Sequence, residues 1–215
     1  MLLDLIDRFS GRRHVEARRR KFADFTRLCR PTPQDEVLDV GVLGRETYDA
    51  ANLFLKEYPH QERLTALAIE ECSELSARYP LVRFVRYDGR RFPFADDSFA
   101  ICHSNAVVEH VGDLERQRLF VSEMVRVANR GFFTTPNRWF PIELHSKLPL
   151  AHYLPWPLFI QLSRIVRREE LVRGVRLLSK RQLADLAKRA GVSSFLILNN
   201  RVLGITVTYS VFWSK

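Results

Sequence analysis

A chain of 215 residues, 46% of them hydrophobic, is long enough for one domain with a real core and an inserted lobe. Its 34 Lys+Arg against 25 Asp+Glu leave a net charge of +9. Such a field suits nucleic acid, a phospholipid surface or an acidic metabolite without choosing among them, and equally a basic surface kept for solubility. Cys29, Cys72 and Cys102 are odd in number and widely spaced, which argues against a disulfide framework or a thiolate zinc site and for a reduced, cytoplasmic protein. The start, Met1 to Phe9, reads as too short and too acidic for a signal peptide, and no apolar run approaches the ~20 residues that span a bilayer.

Leu2, Leu3, Leu5, Ile6 and Phe9 lie near helical spacing, and Gly11 is expected to interrupt them. A very basic segment follows, densest at Arg18-Arg-Arg-Lys21, with Phe22, Phe25 and Leu28 three residues apart. This predicts an amphipathic helical cap over residues 1–30, its basic face solvated or laid on RNA or lipid headgroups. Pro31 and Pro33 mark the start of the main domain, residues 31–215.

The first strand is expected at Glu36–Gly41, a buried apolar run with Asp39 near its end and a glycine turn after it. A strand, a glycine turn and a helix N-terminus are how α/β sheets hold nucleotide-like ligands. A helix is predicted at Thr47–Tyr58, a second strand at Arg63–Ile69, a helix at Glu70–Arg78 and a third strand at Leu81–Asp88. Further strands follow at Phe99–Ser104 and Gly131–Thr135, with a helix at Gly112–Ala128 between them. This alternation predicts a parallel sheet with right-handed crossovers. Residues 138–178, rich in Pro, Trp and Arg, are read as an inserted lid or substrate lobe. Ser179 and Gln182 form a capping box, Gly191 stops that helix, and strands at Phe195–Leu198 and Ile205–Phe212 close the chain.

Three stretches resemble the small class I S-adenosylmethionine-dependent methyltransferases of the "methyltransferase 11" type. They are Val37-Leu-Asp-Val-Gly41, then Asp88 to Phe99, then Asn105 to Val111 together with Glu123-Met-Val-Arg-Val127. The resemblance implies a Rossmann-like three-layer α/β sandwich, its seven-stranded sheet mostly parallel with an antiparallel last strand. It implies S-adenosylmethionine as cofactor. Asp39, Gly41 and Gly44 would line the turn under its amino-acid portion, and Asp88, Gly89 and Arg90 would meet the adenine. Ser104 and Asn105 would face the methionine portion. Leu43 and Arg45 stand in later glycine places of the family pattern, and Ala68 stands where an acid usually binds the ribose. Glu70, two residues on, is the candidate substitute, although its offset suits a helix start as well. Ala100 replaces a common Asp.

Methyl transfer needs alignment and water exclusion, and a base only where the acceptor must lose a proton. His110 and the pair Glu143 and His145, two apart so that both side chains share one side of an extended segment, are the candidate catalytic groups. Glu143, His145 and His152 have no recognised metal spacing, and the sequence assigns no metal. The apolar run Leu148–Ile160, followed by arginines, suits a small-molecule or lipid-linked acceptor and a peripheral membrane contact. A degenerate, non-catalytic binding domain and an RNA methyltransferase or RNA-binding module are the alternatives. Ser104-Asn-Ala-Val107, where nucleic-acid methyltransferases often carry N/D-P-P-Y/F, disfavours nucleic acid.

Overall fold

The computed structural model describes the backbone of residues 2–215 and the side chains from His14 onward. Seven strands form one sheet: β1 Val37–Val40, β2 Leu64–Ala68, β3 Arg83–Arg86, β4 Phe99–Asn105, β5 Ala128–Pro136, β6 Ser194–Val202 and β7 Ile205–Ser214. Their order is β3-β2-β1-β4-β5-β7-β6. β1 to β5 run parallel, and β7 lies antiparallel between β5 and β6. This is the expected Rossmann-like sandwich, and the order reverses between β1 and β4.

Alternation along the strands divides the core. Leu38, Val40, Leu67, Cys102 and Phe133 face helices α4 (Leu114–Val127) and α7 (Lys180–Arg189). Val37, Leu64, Ala66, Ile101 and Phe132 face α1 (Leu2–Cys29), α2 (Leu53–Glu57) and α3 (Ser73–Arg78). Both faces of the central strands are therefore covered, which is why they read as continuous apolar runs.

Several boundaries differ from the sequence expectation, each for a visible reason. Gly11 does not interrupt α1. The stripe expected from Leu2 to Phe9 lies outside the described side chains. Among the described residues of α1, Phe25 and Cys29 are buried in the core, with Phe22 and Leu28 packed against it. The helix expected from Thr47 is reduced to Leu53–Glu57. Asn52 adopts a left-handed conformation (φ 50°), and its amide brackets Leu43, donating to the carbonyl and accepting from the N–H, both at 3.0 Å. Arg18 donates to the Ala50 carbonyl and to the Tyr48 hydroxyl, holding this segment as turns against α1. The helix expected from Glu70 begins only at Ser73. The capping box of Ser179 and Gln182 and the left-handed Gly191 (φ 88°) bound α7 as expected.

Residues 138–178 make the long connection between β5 and α7, and its last residue, Leu178, is buried in the main core. The connection holds a 3₁₀ turn (Ala151–Tyr153) and helices α5 (Trp156–Ile165) and α6 (Glu169–Val172). Ala151, Phe159 and Val172 make a small separate core. Among the described residues no helix is long and apolar enough to cross a membrane.

Gly131 is set by close approach. A Cβ there would stand 1.6 Å from the ring of Trp213, its cross-strand partner, and 2.5 Å from the Cys102 carbonyl. The Gly131→Ala variant is expected to lose about 2–3 kcal/mol of stability, because a buried indole must move. A lower urea midpoint at unchanged slope would register this, and an unchanged midpoint would show that Trp213 has room to yield.

Candidate active site

The carboxyl ends of the parallel strands carry the candidate residues in spatial order. At the end of β1, Gly41 turns with φ 89°, its N–H bonded to the Leu67 carbonyl at 2.9 Å. The Val107 methyls fill the space a Cβ would need, the nearest at 2.2 Å. Gly44 donates its N–H to Glu70 Oε2 at 2.8 Å, and a Cβ there would meet the Glu71 carbonyl at 2.4 Å. Arg45, in a family glycine place, turns out to solvent near Glu74.

Glu70 follows the last residue of β2 by two, as Asp88 follows the last residue of β3 by two. Since Ala68 pairs with Arg86, the two acids occupy equivalent places on adjacent strands. Both are exposed at the strand ends. Asp88 Oδ1 accepts the Arg90 N–H at 2.9 Å across Gly89 (φ 79°), so one oxygen closes the loop. Glu70 and Asp88 each keep a second carboxylate oxygen with no bond to another described residue.

Asp39 does not face this edge. Its carboxylate points into the α1–α2 layer, where Oδ1 stands 2.7 Å from His103 Nδ1, and both side chains are buried. The His103 ring stacks on Phe54 at 3.9 Å and meets Phe25 edge-on. The partner was invisible in the sequence because it comes from β4, through the register that sets Asp39 beside His103. At the end of β4, Ser104 is buried with its hydroxyl donating to the Val40 carbonyl. Asn105 Oδ1 accepts from Thr134 at 2.7 Å.

Beyond β4 the chain makes a 3₁₀ turn, Val108–His110, and the lobe returns over it. His145 Nδ1 lies 2.6 Å from Glu143 Oε1, and its Nε2 lies 3.2 Å from His110 Nε2, the rings nearly perpendicular. Glu143 is buried and also accepts the Ser146 N–H. Burial raises its pKa, but the bonds from His145 and Ser146 outweigh it and bring the carboxyl down to about 2. For His145 burial works downward and Glu143 upward, and the net is a raised pKa. His110 is lowered to about 4, by burial first and by the His145 charge second. The sequence named these three residues, and the structure brings them together. His152 does not join them, its Nε2 bonding the Arg138 carbonyl.

Sequence reasoning missed Glu109. It is fully buried under the two imidazoles, with Oε2 accepting from Thr135 at 3.1 Å and Oε1 meeting no partner. Burial raises it to about 6 despite the nearby His145 and the Lys21 ammonium of α1. Its sequence signal was its place beside His110 in the Asn105–Val111 stretch that carries the family resemblance, where it was given no role of its own.

A clamp holds the loop after Asp88. Arg126 binds Glu123, Asp96 and the carbonyls of Phe92 and Phe94, while Glu123 Oε2 takes the Phe92 N–H at 2.8 Å. This gives the Glu123-x-x-Arg126 spacing its physical purpose. A cavity of about 190 Å³ lined by Val125, Gly191 and Trp213 opens at the amino end of β5, away from Glu70, Asp88 and the histidine cluster.

Residues 38–133 match the family model of a methyltransferase domain. A Methanosarcina mazei S-adenosylmethionine-dependent methyltransferase has the same fold at 17% identity, with TM-score 0.53, over 86% of this chain and 94% of that one. The 1,6-didemethyltoxoflavin-N1-methyltransferase of Burkholderia thailandensis, solved with 1,6-didemethyltoxoflavin and S-adenosylhomocysteine, aligns at TM-score 0.59 and 15% identity, over 99% of this chain and 83% of that one. A putative methyltransferase of Haloferax volcanii, in complex with the activator Trm112, aligns at TM-score 0.59 and 13% identity, over 99% and 94%. No curated protein sequence matches this chain. Residues 38–133 are thus similar to a methyltransferase domain, and the solved structures share the fold of this chain.

Two outcomes test the site's scaffold. His103→Ala leaves Asp39 buried and unpaired and is expected to cost about 3–5 kcal/mol, whereas the double variant Asp39→Leu/His103→Phe recovers most of that loss. Equal losses by urea titration in both would mean that the pair is not the source. Burial raises the Glu123 pKa, but the Arg126 and Phe92 bonds outweigh it, leaving it lowered. A depressed carboxyl stabilises above its unfolded value of about 4.3 and loses that contribution as pH falls through its folded value. The stability gap between the native chain and Glu123→Gln should therefore narrow below about pH 4, and a gap independent of pH would contradict the clamp.

Proposed function

We propose that this protein transfers a methyl group from S-adenosylmethionine to a small-molecule or lipid-linked acceptor. The observation that carries this reading is the order of groups along one sheet edge. Asp88 and Glu70 stand on one side of the Gly41 turn, and Asn105, His110 and His145 stand on the other. When bound, S-adenosylmethionine supplies a methyl carbon on a positively charged sulfur, already a good leaving group.

The residues present fit that cofactor. Glu70 anchors the turn with one oxygen and keeps the other for a ribose hydroxyl, filling the place that Ala68 leaves without an acid. Asp88 keeps one oxygen for the adenine amino group, and the backbone at Gly89 and Arg90 forms the adjoining wall. The Gly41 and Gly44 turn brings main chain rather than side chain against the amino-acid portion. Asp39 supports this turn from behind through His103, and Ser104 ties the end of β4 to β1. Asn105 lies on the methionine side.

The acceptor side is the cluster of His110, Glu143 and His145. Glu143 fixes the His145 ring and its tautomer, so that Nε2 faces the opening beside His110. A polar cluster of this kind serves an acceptor that must lose a proton, an O–H or N–H group. Residues 138–178 lie over that side as a lid. Their exposed Trp139, Leu150, Trp156 and Ile165, with the nearby arginines, suit an acceptor carrying an apolar tail, presented at a membrane surface.

Calorimetric titration with S-adenosylhomocysteine tests the reading. Micromolar binding to the native chain is expected, with Glu70→Ala and Asp88→Ala each weakening it about tenfold, the size of one lost hydrogen bond to a charged group. No binding at millimolar ligand would overturn the proposal.

A further inference from the structure

Glu109, His110 and His145 present one ligand atom each, all within 4.8 Å of one another. We infer that these three side chains bind a divalent transition-metal ion, with Glu143 orienting His145 from behind. The ion's binding stands on this geometry alone. Its part in catalysis rests on the methyl-transfer reading above.

Four observations converge. The two imidazoles aim the same atom, Nε2, at one another across 3.2 Å. Two nitrogens each about 2.0–2.1 Å from one zinc-like ion stand about 2.8–3.4 Å apart for angles between octahedral and tetrahedral. His145 Nδ1 is held by the Glu143 carboxylate at 2.6 Å, the carboxylate–histidine arrangement that fixes a metal-binding tautomer. Glu109 is fully buried, and its Oε1 has no partner in the protein.

A hydrogen bond between the imidazoles would account for the 3.2 Å separation and leave Glu109 Oε1 unanswered. An ion accounts for the separation and gives the buried, half-satisfied carboxylate a second partner. Closing the carboxylate onto it takes a movement of about 1.5 Å at most. Two imidazoles and one carboxylate are borderline donors, suited to zinc, iron, cobalt or manganese rather than to calcium or magnesium. The Glu109 and Glu143 carboxylates offset the charge of the ion, Glu109 sharing its own with the Lys21 ammonium of α1. Three protein ligands leave the exposed His110 side open, where an acceptor hydroxyl can approach. An ion there lowers that hydroxyl's pKa, so that its proton leaves to bulk water before the oxygen attacks the methyl carbon. The sulfur then keeps the electron pair of the breaking bond.

The test uses the purified full chain, stripped with a chelator and titrated with Zn²⁺ against a chromophoric competitor. One ion per chain is expected, with Co²⁺ giving visible absorption bands characteristic of nitrogen–oxygen ligation. His145→Ala and the exposed His110→Ala should each weaken binding at least 100-fold, and Glu143→Gln about 10–100-fold, the range for an outer-shell partner. Cys72→Ser should leave it unchanged. Zinc binding that survives both histidine variants, or that disappears with Cys72, overturns the site. S-adenosylhomocysteine titration of the same variants reports folding. Retained homocysteine-analogue binding without zinc binding in the native chain overturns the ion and leaves the transferase reading standing. Zinc binding without S-adenosylhomocysteine binding supports the ion and overturns the other.

Discussion

Asp39 sits in a strand covered on both faces, where a carboxylate without a partner would cost several kcal/mol. Its partner, His103, comes from the next strand in space, 64 residues later in the chain. The two meet only when β1 and β4 pair in the observed register, Asp39 beside His103 and Val40 beside Ser104. A slip of one residue between the strands would turn one of the two side chains to the opposite face of the sheet, into the apolar layer of α4 and α7, and leave both without a partner. The pair therefore penalises the wrong register more than it stabilises the right one. The stacked Phe54 ring and the edge of Phe25 extend that demand to α1 and α2, which must dock before His103 is fully enclosed.

That register fixes the site. β1 and β4 are where the strand order reverses, and the crevice of an open α/β sheet opens at such a point. Because β1 ends beside Ser104, the Gly41 turn and the end of β4 share one rim. β2 and β3 then carry Glu70 and Asp88 outward on one side. β5 carries Thr135, the hydrogen-bond partner of Glu109, on the other. Glu70 and Asp88 are thus separated from Glu109 and the two imidazoles by the sheet itself. The lobe is tied to the second half: Arg176 donates its N–H to the Glu109 carbonyl, and Gln117 of α4 donates to the Arg176 carbonyl.

The sheet was legible in the sequence because buried parallel strands are continuous apolar runs between turn residues. The capping box at Ser179 and the stop at Gly191 were legible because they are local. Expectations failed where a distant side chain decided a local conformation. Asn52, bonded to Leu43, and Arg18, bonded to Ala50, turn a helical pattern into turns. Glu70 read as a helix start because its offset from β2 could be judged only against β3, where the Ala68–Arg86 pairing makes it the counterpart of Asp88. Glu143 and His145 were named from their spacing, but the extended segment expected there is a turn, closed by the Lys147 N–H on the Glu143 carbonyl, and the turn is what brings the two side chains together. Glu109 escaped because burial leaves no mark on a glutamate, and because its companion from the lobe lies 36 positions away in sequence.

Three buried carboxylates show how differently this chain treats the same chemical problem. Asp39 is matched by an imidazole inside a ring of aromatics and serves the architecture. Glu143 accepts the His145 ring nitrogen and two backbone N–H groups, and so is satisfied within its own turn. Glu109 is as deeply buried as either, yet takes one bond at 3.1 Å on one oxygen and nothing from the protein on the other. Leaving a buried acceptor unmet costs about 1–3 kcal/mol, a large share of a domain's net stability. A fold that meets this demand twice nearby has the means to meet it a third time. The place where it does not is beside His110 and His145, where the carboxylate is already desolvated and the two imidazoles face one another.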